Sequence, residues 1–304
     1  MEDYRIIKSD GMTNKQYHAN DTHSSSSQLK DAVEDVELFY KKYILKEIER
    51  KSIPAFDIGT YYHTAILEPE NLTKECAVYA GRRAGKDWTE FKAANEEKAI
   101  ITTSELSQAE TLIDATKASP VAMALLAKGD SELSFFGLLN GMPIKVRCDK
   151  IFLSKEKSYI LDLKSTTGNC KDKFKVQTKV QGYSYDLSAA LYMDTINEVI
   201  KALKMDVAPV TEFYWTFASK DIGNCVTYKA SQKMLATGRA KYTYGMKQIA
   251  KYTALNWEFP DELVELDPPK WDSDNWEDDV KEEKTGRKFS KNQPLVKSDL
   301  TDLI

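Results

Sequence analysis

The chain has 304 residues, of which 42% are hydrophobic, 30% charged and 11% aromatic, the balance of a folded globular protein rather than a collagen-like, disordered or membrane chain. A net charge of −4 argues at first against a nucleic-acid partner, but the charge is unevenly placed. Glu258 to Ile304 holds 14 acidic and 7 basic residues, net −7, which leaves the rest of the chain at +3.

No window approaches the roughly 18 apolar residues of a membrane span, and the polar stretch from Lys8 to Lys30 lacks the apolar core of a signal peptide, so a cytoplasmic protein is expected. Cys76, Cys148, Cys170 and Cys225 are scattered, with no CxxC pair. That pattern predicts reduced, buried thiols and no zinc knuckle or iron–sulfur cluster.

In chain order, residues 1–24 read as a polar leader, 25–267 as one domain, and 268–304 as an acidic, then basic, mobile tail. Leu29, Val33, Val36, Tyr40 and Tyr43 recur at steps of four and three, which predicts a helix with a capping box from Ser25 and Gln28. Ala55 to Leu67 reads as a second helix, ended by Pro69 and carrying His63. Thr89 to Ala127 reads as mixed and mainly helical. Ser131 to Lys164 alternates like strands around an Asn140-Gly141 turn. A helix is then predicted over Thr178 to Ile200, strands over Glu212 to Ala218 and Cys225 to Tyr228, and a last helix from Ser231 to Tyr252. That helix sets Leu235, Gly238, Tyr242, Met246 and Ile249 on one face.

The strand region carries the chemistry. A two-residue turn at Asn140-Gly141 places Leu139 opposite Met142 and Glu132 opposite Asp149, and a hairpin symmetric about Lys155 and Glu156 places Asp149 opposite Asp162. Glu132, Asp149, Asp162 and Lys164 then form a row on one face, with Ile144, Val146, Cys148, Leu161 and Leu163 as the apolar reverse. Opposed like charges weaken strand pairing, and a hard divalent cation compensates them, held by carboxylate oxygens, water and substrate phosphate. Lys164 is placed to position or deprotonate water and to balance phosphate charge. A solvated polar face with cross-strand Lys–Asp pairs suits the same pattern.

Lys145-Val-Arg-Cys-Asp149, twelve intervening residues and Asp162-Leu-Lys164-Ser-Thr-Thr167 resemble the PD-(D/E)xK nuclease core, and specifically the RecE-type (exonuclease VIII-like) phage and prophage DNA exonucleases. Supporting segments are Tyr17-His18 with Ser24 to Ser27 and Leu29-Lys30, then Gly59-Thr-Tyr-Tyr-His63 with Leu67-Glu-Pro69, and Tyr185-Asp-Leu-Ser-Ala-Ala-Leu-Tyr192. The likeness spans Tyr17 to Trp271.

The resemblance implies an α/β fold with a restriction-endonuclease-like core, a mixed sheet with antiparallel hairpins flanked by helices. It implies Asp149, Asp162, the Leu163 carbonyl and His63 as metal ligands, Glu132 as an acid at the site's edge, and Lys164 as the motif lysine. Tyr192 matches the family's helix tyrosine, whereas the glutamine expected four residues earlier is Ser188, with Gln181 the candidate substitute. Cys148 takes the place of the motif proline. Lys145 and Arg147 are the better candidates for phosphate contact, and Arg82 and Arg83, between Gly81 and Gly85, form a second basic loop.

The activity implied is a Mg²⁺-dependent double-strand DNA exonuclease, with Mn²⁺ as a substitute ion. It would run 5′ to 3′ and leave 3′ single-stranded tails for recombination by annealing. Implied partners are DNA ends, a RecT-like annealing protein and further copies in a ring, in the cytoplasm of a bacterial host. An endonuclease of the same superfamily and a catalytically silent DNA-end-binding protein are the alternatives.

Overall fold

The computed structural model describes residues 4–48, 54–259 and 266–268. In chain order they form β1 (Arg5–Ile7), α1 (Asn14–Ala19), α2 (Ser26–Glu34), α3 (Val36–Phe39), α4 (Pro54–Leu67), α5 (Leu72–Glu75), β2 (Cys76–Tyr79), α6 (Gly85–Ala94), β3 (Ala99–Thr102), α7 (Thr103–Lys117) and α8 (Pro120–Leu126). There follow β4 (Asp130–Leu139), β5 (Met142–Phe152), β6 (Ser158–Thr166), α9 (Lys173–Gly182), α10 (Tyr185–Ala202), β7 (Val210–Ser219), β8 (Cys225–Lys229) and α11 (Gln232–Ala254).

The alternating stretch becomes the β4–β5–β6 meander. Asn140 (φ 52°) and Gly141 (φ 80°) adopt the left-handed geometry of a two-residue hairpin turn and set Leu139 opposite Met142. Lys150 pairs with Leu161 and Phe152 with Tyr159, so both hairpins have the register that their turns predict. β7 joins β6 in parallel, and the sheet runs β1-β4-β5-β6-β7-β8. This is the mixed sheet, flanked by helices, expected from the sequence.

The exposed carboxylate face expected from strict alternation is absent, because helices cover both sides. α10, backed by α2 and α11, buries Leu133, Phe135, Ile144, Val146, Cys148, Ile151, Ile160 and Trp215. α4 and α7 bury Leu163 and Ala218 together with Ile58, Tyr62 and Leu112. Leu163 therefore opposes Ile144, Val146 and Cys148 across the sheet instead of joining them. The reason lies in β5, where Cys148 and Ile151 enter the same cluster although three residues apart, so the alternation changes phase between them. Ladder partners are Ser131 with Lys150 and Leu133 with Cys148, and between these pairs sit Glu132 (φ 51°) and Asp149. Each strand carries one residue that steps out of the alternation.

Other boundaries also move. Residues read as a polar leader contain β1, which pairs with β4, and α1, closed by a Thr13–Gln16 capping box. The helix predicted through Tyr43 stops at Asp35, whose carboxylate accepts from the amides of Glu37 and Leu38 and starts α3. The mainly helical region contains β3, which pairs in parallel with β2. The helix predicted from Thr178 to Ile200 is two helices, broken at Tyr183 and Ser184 (φ 47°). Contacts separate Met1–Glu258 from Phe259–Ile304, and the predicted tail lies outside the described residues except for Pro268. Cys76, Cys148 and Cys170 are buried free thiols and Cys225 is half-buried.

Gly238 lets α11 close on α10. A Cβ there would lie 2.0 Å from the Asp186 carbonyl oxygen, and backbone cannot swing aside as a side chain does. Gly238→Ala is expected to destabilise the fold by about 1–3 kcal/mol, read as a lower denaturation midpoint in urea. An unchanged midpoint would show that the two helices are not held at this distance.

Candidate active site

Asp149 leaves the β5 alternation with its Oδ2 accepting the Leu163 amide at 2.7 Å. The same oxygen lies 3.5 Å from Nδ1 of His63 on α4. His63, Glu132 and Asp149 each offer one ligand atom, and these atoms lie within 4.8 Å of one another. Asp162 falls outside this group. It shares the α10 side of β6 with Ile160, is buried, and holds Lys164 Nζ at 2.5 Å. Lys164 Nζ also sits 4.9 Å from the centre of the Tyr185 ring. Leu163 thus brings its N–H to Asp149, and the predicted single row becomes two neighbouring clusters.

The charges of these clusters act on one another. Burial, reinforced by the negative charge of Asp149, pushes Glu132 up to about 7 even though Arg147 Nε donates to it at 2.7 Å. Burial opposes ionisation of Asp149, but His63, Lys164 and the Leu163 amide outweigh it and hold the carboxyl below its ordinary range. Burial likewise disfavours charge on His63 and Lys164. Asp149 nevertheless lifts the imidazole, and Asp162 with Asp149 lifts the ammonium, above their usual values. Asp162 itself is raised by burial, against the pull of Lys164.

Two carboxylates and an imidazole gathered this closely fit a divalent cation. Oxygen donors suit Mg²⁺ or Mn²⁺, and Glu132, lifted first by burial and then by the charge of Asp149, is a carboxyl that a bound cation would help to ionise.

The proposed DNA contacts divide. Lys145 is buried and spends its ammonium on the carbonyls of Tyr17, at 2.7 Å, and Asn20, so it bolts the N-terminal segment to the sheet instead of facing phosphate. Arg147 is committed to Glu132 and to the Met12 carbonyl at 3.2 Å. Arg83 pairs with Glu105 at 2.8 Å and with the Ile100 carbonyl at 2.6 Å, a structural role, while Arg82 is exposed. Gln181 belongs to α9, before the break, and its Oε1 accepts from Lys241 at 3.3 Å, so it does not stand two turns before Ser188 on one helix. Tyr192 lines the cleft with its phenol raised by burial.

The cleft has a volume of about 1450 Å³ and takes in His63, Glu132, Asp149, Lys150, Lys179, Lys220, Tyr183 and Tyr185. Lys179, which donates to Thr166 Oγ1 and the Thr167 carbonyl, and Tyr185 have no role in the sequence reading. Nor does Lys30, whose Nζ lies 5.2 Å from the Tyr185 ring centre and which burial, then Lys164, push down to about 8. Lys30 stands in a segment of the family likeness, the one signal that could have marked it.

Residues 25–261 match the family model described as a PDDEXK-like domain of unknown function (DUF3799). A crystal structure from Eubacterium rectale described as "Putative exonuclease" is 17% identical, covers 88% of this chain and 97% of its own, and superposes with a TM-score of 0.59, a likeness of fold. A second structure, SSO0001, is 12% identical over 78% of this chain and 96% of its own, with a TM-score of 0.29. No curated protein matches the sequence.

Glu132 gives the metal-free protein a pH signature. A carboxyl lifted from 4.5 to about 7 binds its proton more tightly in the folded chain, so its favourable contribution is complete below about pH 4.5 and is lost as pH rises to about 7. In chelator, the melting temperature is expected to fall from pH 5 to pH 8, and Glu132→Gln to reduce that fall. Parallel curves for the two proteins would assign the dependence to other groups.

Proposed function

The chain belongs to the PDDEXK-like domain family DUF3799, and we propose that it is a divalent-metal-dependent exonuclease acting on the ends of duplex DNA. The observation that carries this reading is the convergence of His63, Glu132 and Asp149 beside the Asp162–Lys164 pair, in a cleft with basic side chains on its wall. Bound there, Mg²⁺ would lower the pKa of a water molecule and screen phosphate charge.

The chain's own residues supply the rest. Asp149, kept ionised by its neighbours, is a ligand that also anchors β6 through the Leu163 amide. Arg147 holds Glu132 toward the same point. Asp162 keeps Lys164 charged, and that ammonium stabilises the charge developing on the phosphate and holds a proton at Nζ for the departing oxygen. His63 closes the group from α4.

The finer parts of the proposal come from the RecE-type resemblance. Digestion runs 5′ to 3′, the 3′ tail passes to a RecT-like annealing protein, and copies of the chain encircle the duplex in the bacterial cytoplasm. Among the described residues no helix is long and apolar enough to cross a membrane.

Linear duplex DNA labelled at either end is expected to be degraded only with Mg²⁺ or Mn²⁺, with the 5′ label released first, while covalently closed circles stay intact. Cleavage of the circles would turn the reading to an endonuclease. Asp162→Ala is expected to abolish hydrolysis. Lys164→Ala is expected to slow it by about 10²- to 10⁴-fold with end binding retained, whereas equal loss of binding would make the lysine structural.

A further inference from the structure

Tyr183 is a large aromatic residue with no burial to explain it: it is 63% exposed, at the break between α9 and α10. Ser184, next to it, takes a left-handed conformation (φ 47°, ψ 45°) that a residue with a Cβ adopts only under constraint. This bend stacks the Tyr183 ring on Tyr185, with centroids 5.5 Å apart and planes 25° from parallel. Tyr185 is in turn the ring that borders Lys164 and Lys30. Tyr183 and Tyr185 line the same cleft as His63, Glu132 and Asp149, and Lys179 and Lys220 stand on its wall.

An open aromatic face, a second ring behind it and flanking ammonium groups are what a splayed nucleic-acid strand requires. Any base can stack on the ring whatever its identity, while cations follow the backbone. We infer that Tyr183 is a stacking platform for an unpaired base at the end of the strand entering the cleft, so that the preferred substrate is an end with a few unpaired nucleotides. The inference rests on the nuclease reading and adds the form of its substrate. Tyr185 then acts as a spacer, one ring between the stacked base and the motif lysine.

The test uses the full chain in chelator and a duplex whose short overhang carries 2-aminopurine at its terminal position. Stacking is expected to quench the fluorophore on binding. Tyr183→Ala is expected to lose the quench and to weaken overhang binding by about 5- to 150-fold, the range of one base–aromatic stack, whereas Tyr183→Phe keeps both. A Tyr183→Ala protein with wild-type quench and affinity would overturn the platform. If the wild-type chain with Mg²⁺ still degrades linear duplex in that case, the nuclease reading stands without it. A wild-type chain that neither binds nor cuts overturns both.

Discussion

The hydrogen bond from the Leu163 amide to the Asp149 carboxylate stands where β5 and β6 stop sharing backbone bonds. A buried amide must find an acceptor, and here a side chain takes the place of the neighbouring strand. The exchange frees the two strands to separate beyond Lys150 and Leu161 and opens a gap in an otherwise continuous sheet. His63 closes on that gap from α4, while Asp162 and Lys164 remain on the α10 side. The acid that would bind a cation is therefore also the wedge that makes room for one.

Keeping such a gap open is unfavourable, and two of the strained residues lie near it. Glu132 and Ser184 are both non-glycine residues in the left-handed region, a conformation that costs on the order of 1–3 kcal/mol at each position. Arg147 ties the first into place through Glu132 and the Met12 carbonyl. Behind the second, Asp186 at the start of α10 is fully buried and pairs with Lys241 at 2.9 Å. Helices packed on both faces of the sheet offset these costs through the apolar surface they bury.

Much of this was legible in the residues. Asn140-Gly141 specifies its turn, and counting outward from it gave the register of the first hairpin, because a two-residue turn leaves little freedom, while the second register followed from symmetry about Lys155 and Glu156. Strand spacing brought Glu132, Asp149, Asp162 and Lys164 together, and the family resemblance added His63. Their distribution was not legible, since a phase change at Glu132 leaves no mark: glutamate is not a residue that announces a positive φ, as glycine or asparagine does. The bend at Ser184 did leave a mark, because glycine, here Gly182, ends helices and serine starts them, although the predicted helix ran through both. Lys145 and Arg147 were misassigned for another reason. Position along a strand says which way a basic side chain points, but not which segment arrives from elsewhere in the chain to claim it.

That claiming segment changes what counts as the domain. The family match begins at residue 25, yet Lys8, Asp10, Thr13, Tyr17 and His18 form part of the cleft wall, and Lys145 fastens their segment by its carbonyls. A protein cut to the recognisable boundary would expose the Lys145 ammonium and the Phe136 ring that Tyr17 and His23 now cover, and would unseat Arg147 from one of its two anchors. The unit that the family match delineates is thus smaller than the unit that forms the cleft, because part of the cleft wall lies before residue 25.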